Sequence, residues 1–530
     1  IKGNALSLEP HKPSEVYCEP NFVQLFSKLP LPSQMAKRNK VLDGIKTLKA
    51  GNQLSLIRLL VFTSYYLDFI IITSVTPENS SYAFDIFDAL NTTGEPLTAI
   101  QTFKPFVVKN EARNGDYSQS DSKKYFDKVE SYLEEFGGSP ERQKQAKELV
   151  TSFALYVTGE RVSQQLSVQR RYLSTKFRKC TQDKKMNESS VRFVKLLSEV
   201  SGFKRRFWNR ESIRSQFLKD DPDGKLRLCF HLLREMKMTL TIPIMSRFYN
   251  IHKDDSNLDT LKETIYAFVA FIALRRAATG STAGIDNDFR QIMLKGVDGN
   301  PALNHGLVLA KQPKLISLDE FKKSLRSLLK RKIGEVTKDN WVAKVVNKPL
   351  YDDSVPLSKF LLMSAAHSSY LSSSKKTLHE KGNLGTANDY LNEKRWLSQE
   401  CETVEHIAPI NGRSTGYSNE IYLEENLLHG LGNLTLLPQD KNSAVGNQAW
   451  KIKSLYFKAF GANSPKAVKK LFDEAKAKKI EIGNATKKLL NNQVQLPLAD
   501  SISHVPNWTP QVIRLRAENL ASLAWDEISK

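Results

Sequence analysis

The chain is organised around Glu402-Thr403-Val404-Glu405-His406-Ile407-Ala408-Pro409, answered downstream by Gly432-Asn433-Leu434-Thr435-Leu436-Leu437-Pro438-Gln439-Asp440-Lys441-Asn442. Residues 403–407 are rich in β-branched side chains and read as a short strand that stops before Pro409. Residues 434–437 form a second short apolar run, opened by Gly432 and closed by Pro438. From Ser443 through Trp450, Leu455, Tyr456 and Phe460 the apolar residues recur at helical spacing. The order is therefore strand, loop, strand, helix. His406 ends the first strand and Asn442 stands at the mouth of the helix.

Those residue types carry a definite chemistry. An imidazole can take a proton from water near neutral pH, which suits His406 to the role of general base. Glu405 and Asn442 offer hard oxygen ligands, which suit Mg²⁺, an ion that keeps several waters and binds few protein groups. A metal beside a base can stabilise the leaving oxygen of a phosphodiester while the base activates water. Asn433, between the two strands, could pin the His406 loop by hydrogen bonds. The other histidines (His11, His231, His252, His305, His367, His379 and His504) lack such surroundings and read as structural. His429 lies close to the second stretch and reads as a loop residue.

Glu-His-Ile-x-Pro, then Gly-Asn-Leu-Thr-Leu-Leu, then an Asn ahead of a helix, resembles the HNH (ββα-metal) nucleases. More narrowly, it resembles the HNH domain at the C-terminal end of GmrSD-type modification-dependent (type IV) restriction enzymes. The resemblance implies that His406 is the base, Asn433 the middle Asn, and Asn442 with Glu405 the metal ligands. It also matches Trp450 and Lys453 to the aromatic residue and Lys of the following helix, with Lys453 contacting the scissile phosphate. The implied cofactor is Mg²⁺ or Mn²⁺. The implied partner is double-stranded DNA, including modified phage DNA, in antiviral defence.

The formal charge of +21 and a pI near 9.5 favour a polyanionic partner, nucleic acid before an anionic membrane. Cys18, Cys180, Cys229 and Cys401 are scattered, which argues against a zinc site or a disulfide framework and fits a reducing cytoplasm. No signal peptide opens the chain. The best membrane candidate, residues 54–75, is interrupted by Arg58 and Asp68 and reads as a buried helix followed by a strand at residues 69–75. The chain begins at Ile1 without a Met, as a fragment or a processed product would.

At 530 residues the chain should hold two to four domains. A helix carrying Ala83, Phe84, Ile86, Phe87 and Leu90 should end at Asn91-Thr92-Thr93-Gly94, with a second helix over residues 99–108. Phe87-Asp88-Ala-Leu-Asn91-Thr-Thr-Gly94-Glu-Pro-Leu97 resembles a segment of the ParB/sulfiredoxin-like N-terminal domain of the same restriction enzymes. That resemblance puts Asn91 and Asp88 near a nucleotide (an NTP) or a metal. The upstream Asp-Gly-Gln-Gln-Arg and Tyr-Gln-Arg signatures of that domain do not occur here, which points to a missing N-terminal segment or to a partner chain that carries it. Asn91 and Gly94 equally suit a plain helix end, since both tolerate left-handed geometry.

Residues 110–124 are polar and read as a loop or boundary. Residues 125–274 read as mostly amphipathic helix. They include a basic run with Arg170 and Arg171, interleaved by Tyr172, Phe177, Phe207 and Trp208, which could track a phosphate backbone or form a solvated face. Residues 268–276 look like a buried helix ending near Thr279-Gly280. Helices are also expected over residues 315–332 and 355–370. Residues 451–488 are strongly basic, and Lys451, Lys458, Lys469 and Lys470 are the expected DNA-backbone contacts.

The expected fold is mainly α and multidomain. A small α+β ParB-like remnant occupies residues 1–115, a helical middle 116–314, and a ββα-metal HNH site in helical surroundings 315–530. The expected activity is that of a metal-dependent DNA endonuclease, with no membrane association. The rivals are a catalytically weak DNA-binding sensor, a nucleotide-hydrolysing regulator of a defence complex, and an RNA nuclease acting as a toxin.

Overall fold

The computed structural model describes residues 97–530, apart from 114, 183–188, 209–220, 253–258, 310–314, 383–388, 462–463, 478, 492–495 and 497. The described part is mainly helical, as the periodicity predicts. Asp88 and Asn91, together with the helices and strand expected before residue 97, lie outside the described residues.

The helical body runs through α1 (Ala99–Glu111), α2 (Asp121–Glu134), α3 (Ser139–Thr158), α4 (Leu166–Gln182), α5 (Ser189–Phe203), α6 (Lys225–Glu235), α7 (Ile242–His252), α8 (Asp259–Thr279) and α9 (Ile285–Leu294). Local chemistry sets several of these ends. Thr98 and Gln101 form a capping box on α1, so two otherwise orphaned backbone N–H groups are satisfied reciprocally. Gly280, at φ +70°, ends α8 in the left-handed conformation that a side chain resists.

Helix α8 is the axis of this body. Phe268, Val269, Phe271, Ile272, Ala273, Leu274, Arg275, Arg276, Ala277 and Ala278 are all buried, so the helix has almost no solvent face there. It packs against α6, α7, α10 (Leu318–Ile333) and α11 (Lys338–Val345). The Phe268 ring lies 5.4 Å from Phe289 and 5.1 Å from Phe321. Trp341 of α11 is fully buried and donates from Nε1 to the Leu274 carbonyl at 2.8 Å. The apolar cluster is thus continuous across residue 314, and α1 belongs to it through Phe103, whose ring meets Phe177 and Phe193.

The C-terminal part continues with α12 (Leu350–Asp353) and α13 (Val355–Ala366). It then forms the hairpin β1 (Ser369–Leu371) with β2 (His379–Lys381), and the antiparallel pair β3 (Thr403–His406) with β4 (Leu434–Leu437). Helices α14 (Gln439–Val445), α15 (Trp450–Phe460), α16 (Pro465–Ala477), α17 (Asn484–Asn491) and α18 (Pro510–Ile528) follow. Two expectations change. The helix expected over residues 355–370 stops at Ala366, and Ser368, at φ +49°, turns the chain into β1. The helix expected from Ser443 onward is two helices, divided where Gly446 takes φ +43°. No helix among the described residues is long and apolar enough to cross a membrane.

The β3–β4 pair separates two cores. Val404, Leu434 and Leu436 join the large cluster that includes α8 and α13, whereas Ile407 and Leu437 join a second cluster built on α15. Trp341→Ala should cost about 3–5 kcal/mol, from lost burial and the cavity left behind. Chemical denaturation should show a lower midpoint, with Trp341→Phe falling between; a midpoint equal to the parent's would contradict this account of the core.

Candidate active site

Strand alternation sets the first feature of the site. Thr403 pairs with Leu437, Glu405 with Thr435, and His406 with Leu434. Thr403 and Glu405 therefore face one side of the hairpin, and Val404 and His406 the other. On the first side, the Lys453 ammonium of α15 lies 3.3 Å from Glu405 Oε1 and donates to the His406 carbonyl at 2.9 Å. Lys453 is fully buried. Burial raises the Glu405 carboxyl above its usual range and lowers the Lys453 ammonium, while each charge favours the ionised form of the other. The Glu405 side chain keeps 15% exposure, whereas the Lys453 ammonium faces the carboxylate and the His406 carbonyl.

Asn442 lies on the same side as Glu405. Its Nδ2 donates to Thr403 Oγ1 at 3.0 Å, and that hydroxyl donates to the Leu437 carbonyl at 2.8 Å. Its amide oxygen has no protein partner among the described residues. Helix α14 starts after Pro438, so Asn442 sits inside a short helix instead of at the mouth of a long one. Among the described residues, no three His, Cys, Asp or Glu side chains converge as a metal cage. A cleft of about 390 Å³ runs beside β3, lined by Glu402, Thr403, Val404, Gln439 and Asn442 on one part, and by Tyr351, Lys359 and Glu235 on another.

His406 ends β3 with 4% exposure. Its ring packs edge-on against Tyr351, which also lines the cleft, with centroids 4.4 Å apart. Its Nε2 lies 3.2 Å from His429 Nδ1. Burial first, then the nearby His429 and Lys453, push its pKa down to about 3, so the ring is neutral at ordinary pH.

Asn433 is completely buried and fully used. Its Nδ2 donates to the carbonyls of Ala408 (2.9 Å) and Leu428 (2.8 Å), and its Oδ1 accepts from Ala408 N (2.8 Å) and Trp508 Nε1 (2.9 Å). The first and third of these bonds tie down the backbone two residues past His406. Arg516 of α18 braces the same turn, donating from Nη1 to the carbonyls of Gly432 (2.8 Å) and Leu434 (2.7 Å). Burial lowers this guanidinium to about 9. Helix α18 comes so close that a Cβ at Gly432 would lie 2.0 Å from the Ile513 carbonyl oxygen, so only glycine fits there.

Of the expected DNA contacts, Lys451, Lys469 and Lys470 are exposed on α15 and α16, and Lys458 is half-buried. Arg171 is exposed, but Arg170 is 7% exposed and donates from Nε to Thr102 Oγ1 at 3.1 Å. Adjacent residues on a helix point about 100° apart, so one arginine faces solvent and the other faces α1. The interleaved Tyr172, Phe177 and Phe207 are core residues. Tyr351, Trp508 and Arg516 enter the site through tertiary contacts that the sequence does not show, and His429, expected as a loop residue, meets His406 at 3.2 Å and Asp352 at 3.3 Å. Only His429, four residues before Asn433, carried a local signal.

The Asn433 geometry is open to a direct check. Asn433→Asp removes both donors and sets a buried carboxylate against two carbonyl oxygens. It should lower stability by about 3 kcal/mol or more, read as a fall in the thermal or urea midpoint. Stability equal to the parent's would mean that the amide does not hold this turn.

No curated protein matches the chain. Residues 337–523, which span β3, β4, Asn433, Asn442 and most of α18, are similar to the C-terminal domain of the GmrSD restriction endonucleases.

Proposed function

We propose that residues 315–530 act as a metal-dependent HNH endonuclease that cuts or nicks double-stranded DNA, in restriction of foreign or modified DNA. The observation that carries this reading is the β3–β4–α14 arrangement, with His406 at the end of the first strand and Asn433 fastening the turn behind it, inside the region similar to restriction endonucleases.

In this reading His406 is the base, using Nδ1 to take a proton from water, and Asn433 holds its loop in place. Lys453 is a positioning residue that fixes Glu405 and the His406 carbonyl. The donor set suits a hard divalent cation. Glu405 supplies a carboxylate, and Asn442, tethered through its nitrogen, keeps its amide oxygen free on the same side of the hairpin. These two residues would hold Mg²⁺ or Mn²⁺, and the ion would stabilise the leaving oxygen. The exposed Lys451, Lys469 and Lys470, with Lys458, would follow the DNA backbone. Nucleotide control through Asp88 and Asn91 and a partner chain follow from the N-terminal resemblance, and selection of modified phage DNA from the resemblance to modification-dependent enzymes.

A second reading draws on one observation. A base with 4% exposure, held near pKa 3, is poorly placed for fast turnover, which favours a DNA-binding sensor with a weak nuclease.

Cleavage of plain and phage-modified double-stranded DNA with Mg²⁺ or Mn²⁺ separates the two. The parent should cut or nick, and His406→Ala should lose about 10²-fold or more in rate. Equal cutting by both would remove His406 from the chemistry. Salt-dependent binding without cutting by either would favour the sensor. Lys469→Ala with Lys470→Ala should weaken DNA binding and flatten its dependence on salt, by about 0.9 in logarithmic slope for each phosphate no longer neutralised. An unchanged slope would take α16 out of the interface.

A further inference from the structure

Two sets of elements share the cleft of about 390 Å³ beside β3. β3 and α14 supply Thr403 and Asn442, and α12 and α13 supply Tyr351, Val355, Pro356 and Lys359. Val355 and Lys359 are four residues apart on α13, so they share one helix face. The half-buried Lys359 donates from Nζ to the Trp396 carbonyl at 2.8 Å, and its ammonium lies 4.5 Å from the centroid of that indole. Trp396 is itself buried and donates from Nε1 to Glu235 Oε1 at 2.9 Å. The ammonium is therefore fixed in place. It forms no ion pair among the described residues, and the carbonyl takes only one of its three donors. Burial lowers its pKa, and Cys401, Glu235 and Glu402 raise it. A half-buried ammonium with no carboxylate at contact distance is an arrangement that an incoming anion improves. Glu235 and Glu402 also line the cleft, and Glu402 Oε2 accepts from the Gln439 N–H at 3.1 Å. These carboxylates disfavour a bare anion, so the fitting ligand is one that arrives with a cation, as a phosphodiester with Mg²⁺ does. Tyr351 lies next to Lys359 in the lining. Its ring packs on His406, and its hydroxyl has no protein partner among the described residues and is not sealed from solvent.

We propose that Lys359 and Tyr351 bind the scissile phosphodiester of double-stranded DNA in this cleft, beside Asn442. This rests on the nuclease reading of β3, β4 and α14. Lys359 supplies the charge: its spare N–H groups donate to a non-bridging phosphate oxygen, while the Trp396 carbonyl and indole keep the ammonium in place. Tyr351 supplies a neutral donor, its O–H, to the same phosphate, and its ring ties that contact to the position of His406. Neither residue transfers a proton; both bind. The Lys453 ammonium, matched by sequence to the phosphate contact, is fully buried and faces Glu405 and the His406 carbonyl. Lys359 takes the place that Lys453 leaves empty.

The test compares the parent with Lys359→Met, Lys359→Gln, Lys359→Arg and Tyr351→Phe, and keeps His406→Ala as the reference for the nuclease reading. Binding to double-stranded DNA is measured over a range of salt concentrations, with Ca²⁺ in place of Mg²⁺ to slow cleavage. Lys359→Met and Lys359→Gln should each weaken binding and reduce the logarithmic salt slope by about 0.9, the share of one phosphate, whereas Lys359→Arg should keep the parent's slope. Glutamine retains a donor for the Trp396 carbonyl, so it serves where methionine disturbs the fold. A parent-like slope in the neutral variants would overturn the proposal, even if their affinity or stability fell. In single-turnover cleavage with Mg²⁺, both neutral variants should lose about tenfold or more in rate. A reduced slope with an unchanged rate would put Lys359 on a phosphate other than the scissile one, and would also overturn the proposal. Tyr351→Phe keeps the ring against His406 and should lose severalfold in rate at an unchanged slope; a parent-like rate would remove the hydroxyl from the phosphate. If His406→Ala cuts like the parent, the nuclease reading itself fails, while the slope still decides whether Lys359 meets a phosphate.

Discussion

The amide of Asn433 is the fastening on which the C-terminal architecture depends. A buried primary amide has two donors and one oxygen with two lone pairs, and here all are taken. Its partners come from three separate segments: the backbone at Ala408, the backbone at Leu428, and the indole of Trp508. One side chain thus joins the exit of β3, the entry to β4 and the segment leading into α18. A side chain with fewer polar atoms would leave buried backbone groups unpaired, each costing about 1–3 kcal/mol. This is why the residue is an asparagine, and why it lies where the two cores meet.

Around that fastening the protein buries an unusual set of charges. Lys453 and Glu405 share one ion pair beneath the hairpin, and Arg516 donates to backbone carbonyls on the turn next to Asn433. Desolvation opposes every one of these charges; the mutual attraction of Lys453 and Glu405 and hydrogen bonds to fixed partners offset it. The consequence is geometric. Backbone that could otherwise drift is held by groups whose release would strand a buried cation. Further out, Arg276 of α8 donates to the Asp353 carbonyl of α12, the short helix whose Tyr351 and Asp352 meet the two histidines. The helical body therefore supports the site through a four-residue helix.

The hairpin was legible because each of its signals is local. The β-branched run at Thr403 and Val404, the Gly432 opening and the Pro438 stop all act within a few residues. The same holds for α1, whose expected start at Ala99 follows the Thr98 cap. Periodicity alone could not find the break at Gly446, because apolar residues on both sides keep helical spacing while the backbone between them does not. Nor could it separate Arg170 from Arg171, since which one turns inward depends on where α1 packs. The braces of the site were hidden for the same reason. Trp508 meets Asn433 across 75 residues, and Tyr351, whose ring packs on His406, lies far upstream of the hairpin. Sequence patterns reveal which residues can do chemistry; the residues that aim them are chosen by tertiary contacts.

Helix α18 places one of its residues, Ile513, in the second core and several others, Leu520, Ala521 and Ala524, in the first. It also supplies Arg516 to the turn at Gly432. Proteins are made from the N-terminus at about 5–20 residues per second, so β3, β4 and α15 leave the ribosome before this helix exists. During that interval Asn433 has no indole partner and the turn has no guanidinium. The hairpin can pair, but its geometry is not yet enforced, and the site becomes complete only when α18 docks. Assembly of the C-terminal part is thus timed by the order of synthesis, and a nascent chain carries the residues of the candidate site before it carries their arrangement.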